Sequence, residues 1–202
     1  MDLESEKRAS GRMRRLLPPA VGVAVGALLL WTYAEAVAEG MTVYRRARSQ
    51  LVAPDFVASD PAEARKVPDF TLKDRYGNQV SLSHFSSVDL LLVNIWASSC
   101  RVCLEETPAL AELDRRIGEL GSAALITIAV EEKWADVAHY FPRGTDLRVL
   151  FDPENEVGLG VFGTEAYPET FVLDARRRMR ARFDGARPWH SDAMLDYLGR
   201  FL

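Results

Sequence analysis

Trp96-Ala97-Ser98-Ser99-Cys100-Arg101-Val102-Cys103 sits where an apolar run gives way to a charged, helix-forming one. Residues 90–95 (Leu-Leu-Leu-Val-Asn-Ile) are apolar except for Asn94, the pattern of a strand buried on both faces. From Leu104 the chain reads Leu-Glu-Glu-Thr-Pro-Ala-Leu-Ala-Glu-Leu, with Leu104, Ala109, Leu110 and Leu113 near helical spacing. Two cysteines separated by two residues are thus expected at a strand-to-helix turn, with Cys100 near the first helical position. The free N–H groups and dipole of a helix start favour negative charge, so they stabilise a thiolate. Thiolate is the attacking species in disulfide exchange, and such placement lowers a cysteine pKa from about 8.5 to roughly 3.5–7.5. Arg101 adds a positive charge beside it.

Cysteine usage narrows the chemistry further. Cys100 and Cys103 are the only two in 202 residues, so a disulfide framework and a four-cysteine zinc site within one chain are both excluded. Half of a zinc knuckle would need ligands from His84, His139, His190 or carboxylates, and the histidines show no ligand-like spacing. A redox-active dithiol is the better reading. It needs no cofactor, because the two sulfurs carry the electrons themselves. With a net charge of −4, the composition gives no reason to expect nucleic acid as a partner.

Working outward, residues 1–15 form a polar tail with Lys7, Arg8, Arg12, Arg14 and Arg15, expected in the cytoplasm. Residues 16–33 then carry no charge, and residues 34–38 can extend them toward the roughly 20 that a membrane span needs. Trp31 and Tyr33 at the far end suit an interfacial anchor, although Arg45, Arg46 and Arg48 beyond weaken the charge bias. Residues 16–38 are therefore expected to be a single transmembrane anchor. A cleaved signal peptide is the alternative, since Ala34-Glu35-Ala36 and Ala36-Val37-Ala38 both fit small-x-small cleavage. Either way, the rest of the chain is exported. Residues 39–66 read as a juxtamembrane helix followed by a proline-containing linker, and the folded domain is expected over residues 67–202.

Within that domain, residues 70–82 suggest a hairpin turning at Gly77-Asn78. Residues 123–130 are a second buried strand, residues 134–141 a short helix, residues 148–151 a strand and residues 154–162 a brief helix. Residues 170–173 and 180–183 form a hairpin pair, and Ser191 caps a last helix. Strands alternating with helices before a closing hairpin and helix give an α/β sandwich with a mixed sheet. The arginines at 176–178, 180 and 182 are read as a solvated hairpin tip.

At this point the sequence resembles a thioredoxin-like fold, and most closely the membrane-anchored TlpA/ResA-like thiol–disulfide oxidoreductases of bacteria. Three stretches in order carry the likeness: Val67-Pro-Asp-Phe-Thr-Leu with Gly77 and Val80-Ser-Leu82, then Val93-Asn-Ile-Trp-Ala before Cys100-x-x-Cys103-x-x-Glu106-x-Pro108, then Tyr167-Pro168-Glu-Thr170-Phe-Val-Leu-Asp174. The resemblance implies a central mixed β-sheet flanked by helices. It implies that Cys100 is the nucleophile and Cys103 the resolving thiol. Glu106 matches the active-site acid, Pro108 a helix-kinking proline, and Pro168 a cis-proline facing the dithiol. Apart from the resemblance, an early helical acid such as Glu105 or Glu106 is also what dipole compensation would select. Ser99 and Val102 stand where the family usually has an aromatic residue and often a proline, so its redox potential is not carried over.

The expected activity is reduction of disulfides in extracytoplasmic proteins, such as apocytochrome c, with a membrane electron donor restoring the dithiol. The expected location is the bacterial cytoplasmic membrane, with the domain in the periplasm or extracytoplasmic space. The alternatives are a copper or other metal chaperone using the CxxC thiolates, and a peroxiredoxin-like peroxidase. The second lacks the usual threonine three residues before the reactive cysteine, because Ala97 occupies that place.

Overall fold

The computed structural model describes residues 19–60, 62–130, 133–141 and 147–202. It divides into two units, Met1–Ala47 and Arg48–Leu202.

In the first unit lies most of helix α1, Pro19–Leu51. Val23, Leu28, Leu29, Leu30, Trp31 and Tyr33 are all exposed on it. Among the described residues no helix is long and apolar enough to cross a membrane. The described charge-free stretch is residues 19–33, about 22 Å of helix against about 30 Å of hydrocarbon, and Glu35 and Glu39 follow it. Residues 16–18 of the expected span, and the basic tail before them, lie outside the described residues.

The second unit is built on one sheet, eight-stranded among the described residues, in the order β1-β8-β7-β4-β5-β6-β2-β3. Its strands are β1 Phe56–Val57, β2 Thr71–Asp74, β3 Gln79–Ser81, β4 Leu90–Trp96, β5 Ala123–Ala129, β6 Val149–Phe151, β7 Glu169–Asp174 and β8 Met179–Asp184. Parallel pairing of β4 with β5 and of β5 with β6, with antiparallel pairing elsewhere, makes the sheet mixed. Helices α2 Arg101–Gly118, α3 Trp134–Tyr140 and α4 Asp192–Leu198 connect or follow the strands.

Strand β4 runs through the centre, and its two-residue alternation decides which side chains meet the site. Leu90, Leu92 and Trp96 face one core with Leu110, Leu113 and Ile117 of α2 and Met194 and Leu198 of α4. Leu91, Val93 and Ile95 face the other, with Ile126, Ile128 and Phe171. Asn94 shares the parity of Leu92 and Trp96 and so points at α2. Along α2 the buried residues are Cys103, Glu106, Leu110, Leu113 and Ile117, alternating steps of three and four that define one face. Cys103 and Glu106 are the first two members of that stripe. Pro108 lies within α2, where its missing N–H removes one intrahelical bond without ending the helix.

Residues 51–66 are more than a linker: Phe56 and Val57 pair with Arg182 and Ala181 on the edge of β8, and Val52 and Ala64 are buried. The compact unit therefore starts well before residue 67. The brief helix expected over residues 154–162 is present at Glu156–Phe162 as a π-helix, and a Cβ on Gly158 would stand 2.5 Å from Asn155 Oδ1 and 3.1 Å from Val130.

Candidate active site

Strand β4 ends at Trp96, and the chain turns through residues 97–99 into α2 with Cys100 as its N-cap. Cys100 has extended backbone dihedrals (φ −88°, ψ 100°), and its Sγ accepts the Cys103 N–H at 3.1 Å. The sulfur thus occupies the place that a serine or aspartate oxygen takes in an ordinary N-cap. A thiolate there would gain both that N–H and the helix dipole. The pair is joined as a disulfide.

The two sulfurs differ in access. Cys103 is buried at 2% exposure, whereas Cys100 is half-buried between exposed Ser99 and Arg101, with Val102 exposed beyond. The Cys100 Sγ lies 3.5 Å from the carbonyl oxygen of Tyr167, and the Tyr167–Pro168 peptide bond is cis. The loop at Tyr167–Pro168, far from the two cysteines in the chain, is thus brought against the Cys100 sulfur.

Behind Cys103, Glu106 is buried at 5% exposure. Its Oε1 accepts from Asn94 Nδ2 at 3.1 Å and its Oε2 from Trp189 Nε1 at 2.8 Å. Asn94 also donates to Thr170 Oγ1 at 3.0 Å, tying the acid to the strand that follows Pro168. Burial pushes the Glu106 carboxyl above its ordinary value, and the Trp189 and Asn94 hydrogen bonds and Arg187 hold it back only in part. A solvent-facing, dipole-compensating acid is thus not what Glu106 is. That description fits Glu105, which is exposed and paired with exposed Arg101 at 2.9 Å.

Asn94, Thr170, Trp189 and Arg187 belong to this site without having been assigned a role from sequence. For Asn94 there was a signal, a lone polar residue in an otherwise apolar strand. Trp189 gave none, since its place beside Glu106 depends on a contact across 83 residues. Among the described residues no group of three or more His, Cys, Asp or Glu side chains is placed to hold a metal ion.

A family model described as Redoxin matches residues 62–198. The thioredoxin-like protein YneN of Bacillus subtilis is 28% identical over 117 residues, covering 56% of this chain and 66% of YneN. The thiol–disulfide oxidoreductase ResA of Geobacillus thermodenitrificans is 26% identical over 119 residues, 58% of this chain and 67% of ResA. The thiol:disulfide interchange protein DsbE of Allochromatium vinosum is 32% identical over 124 residues, 59% of this chain and 65% of DsbE. This chain thus spans about two thirds of the length of these relatives. In fold, it is similar to a solved structure described as thiol:disulfide interchange protein DsbE from Chlorobium tepidum. The TM-score is 0.61 at 21% identity, covering 68% of this chain and 96% of that one.

Proposed function

Since the chain belongs to the Redoxin family, we propose that it is an exported thiol–disulfide oxidoreductase whose Cys100–Cys103 dithiol reduces disulfides of extracytoplasmic proteins. One observation carries the reading: the outer sulfur caps a helix beside the Pro168 loop, while the inner one is buried on the same helix face as a buried acid.

Cys100 thiolate attacks a sulfur of the partner disulfide, forming a mixed disulfide and expelling one partner thiolate. Cys103 gives its proton to Glu106 and attacks Cys100 Sγ, restoring the intramolecular disulfide and expelling the second thiolate, which is protonated. Two electrons pass to the partner. Burial disfavours the Cys103 thiolate, so an adjacent base with a raised pKa is the useful group there. Pro168 lines the approach to Cys100.

An exported compartment is generally oxidising, so turnover in the reducing direction calls for a membrane electron donor to restore the dithiol. Residues 16–38 would serve as the membrane anchor, supported by the uncharged run over residues 16–33 and the exposed apolar side chains of α1. The resemblance to TlpA/ResA-like proteins favours apocytochrome c as a client.

Trapping tests the reading. Cys103→Ser should accumulate mixed disulfides with exported proteins that collapse on adding reductant, whereas Cys100→Ser should trap few. Equal trapping by both variants, or none by either, would overturn the division of labour. Copper titration of the reduced protein beside an insulin-reduction assay separates catalysis from metal carriage.

A further inference from the structure

The segment following α1 is fastened to the loop that supplies Glu106 with its Trp189 donor. Residues 55–58 lie along the outer edge of β8, with the Asp55 and Ala58 N–H groups donating to the carbonyls of Arg182 and Arg180 at 2.9 Å. At the start of that strip, one oxygen of Asp55 takes two donors: the Asp184 N–H at 2.7 Å and the Arg187 guanidinium at 2.6 Å. The other terminal nitrogen of Arg187 donates to the carbonyls of Asp184, Gly185 and Ala186 at 2.8, 3.3 and 3.1 Å. The loop over residues 184–189 is thereby wrapped around its own arginine, with Asp55 holding that arginine from outside.

This loop reaches the candidate site at two points. Gly185 N–H donates to the Pro168 carbonyl at 2.8 Å. Trp189, whose N–H is held by the Arg187 carbonyl at 2.8 Å and whose ring stands edge-on to Phe183, donates its indole N–H to Glu106.

We propose that Asp55 is a positioning residue for Glu106, acting through Arg187 and Trp189, so that the segment joining α1 to the domain is part of the proton-handling site. An isolated surface ion pair would carry no such weight. Here the carboxylate oxygen is shared by two donors, and Arg187 is only 18% exposed with its remaining hydrogen bonds made to the loop itself. Arg187 is the charged group that acts on Glu106, through both its charge and its backbone, and both effects favour the carboxylate. Asn94 and Trp189 are neutral, and Cys103 does not titrate in the disulfide. Asp55 contacts Arg187 and Asp184, and through them the loop that carries Trp189. Removal of Asp55 is therefore expected to be felt through the loop: Arg187 loses its pin, the Trp189 donor to Glu106 loosens, and the carboxyl becomes harder to ionise.

The role in proton handling rests on the proposed oxidoreductase activity, whereas the positioning is read in the oxidised protein, where no exchange occurs. The full chain in mild detergent would be titrated by NMR from about pH 4 to about 9, following the Glu106 carboxyl carbon and the Trp189 indole N–H. In Asp55→Ala the Glu106 midpoint should rise by about half a pH unit or more, with the indole signal shifting in parallel. Asp55→Asn keeps an acceptor but no charge, so it should give a smaller rise, and it decides the matter should the alanine variant not fold. Glu112→Ala removes an exposed ion pair with Arg115 on the same helix and should leave the midpoint in place. Parent-like midpoints in the Asp55 variants, or an equal shift in Glu112→Ala, would overturn the proposal. Failure of the catalytic reading would appear separately, as unchanged exchange kinetics in Glu106→Gln.

Discussion

Glu106 and Trp189 are joined by a hydrogen bond of 2.8 Å between Oε2 and the indole Nε1, across 83 residues of chain, and both side chains are buried. Two opposed effects meet there. Removing a carboxylate from water disfavours its charge, while indole and amide donors favour it, and burial is the larger of the two. The result is a carboxyl poised above its usual range yet held in one orientation on the helix face that carries Cys103.

Trp189→Phe tests that balance. The ring can still pack edge-on against Phe183, but the donor is gone. Losing a hydrogen bond to a charged group typically costs about 1.5–3 kcal/mol, with a smaller addition for the space the indole leaves. The lost bond is one of those holding the Glu106 pKa down, so the carboxyl should titrate higher still. Denaturant unfolding should show the destabilisation, and the pH at which mixed-disulfide resolution becomes fast should move up.

Glu106→Gln removes the base. In the parent protein, resolution should accelerate as pH rises through the raised Glu106 pKa, because only the ionised carboxylate accepts the Cys103 proton. The variant should lose that inflection and keep only the titration of the thiol itself, near or above about 8.5. Near neutrality the rate should fall by about 10²-fold, the low end of general-base contributions. Glutamine offers one acceptor where Asn94 and Trp189 bring two donors, so stability must be measured beside the kinetics. Resolution unchanged across the neutral range would remove Glu106 from the mechanism.

Much of this arrangement was legible in the sequence because it is local. The apolar run before Cys100 is β4, the Gly77-Asn78 turn joins β2 to β3 with Gly77 at φ 83°, and Ser191 caps α4 by accepting the Met194 N–H. Each is set by a few adjacent residues. Strand β1 was not legible, since two residues cannot display an alternation and their pairing is dictated by the open edge of β8. Trp189 was hidden for a related reason: an aromatic residue in a loop carries no period, and only the closed sheet brings it to α2. The spacing over residues 154–162 shows a helix but not its type, which is π over Glu156–Phe162.

Export and anchoring make a prediction of their own. The full chain should remain in the membrane pellet after carbonate extraction, and a chain starting at Glu39 should not. A reporter enzyme active only outside the cytoplasm, fused after Leu202, should be active. Release by carbonate of a chain shortened at its N-terminus would favour a cleaved signal segment over an anchor, and an inactive reporter would end the argument for a reductase working in an oxidising space.

The last prediction concerns a second buried acid, Glu169, which directly follows Pro168. It is 7% exposed, one carboxyl oxygen has no hydrogen-bond partner, and the other lies 3.9 Å from Arg182 Nε. In the sheet register it stands opposite Asp184. Burial raises its pKa first and Asp184 adds to the rise, while Arg182 opposes it. A carboxyl whose pKa is higher folded than unfolded favours the folded state while protonated. That contribution is complete below the unfolded value of 4.5 and is lost as pH rises through the folded pKa. Glu169→Gln should remove the loss, because an amide needs no ionisation and can donate to Asp184. Near neutral pH the variant should be more stable by on the order of 1 kcal/mol, a rise in Tm of about 3 °C, and the gain should shrink toward about pH 4. Thermal unfolding of parent and variant across that range checks it. A gain independent of pH, or a loss at neutrality, would show that the Glu169 carboxylate is better accommodated than its surroundings indicate.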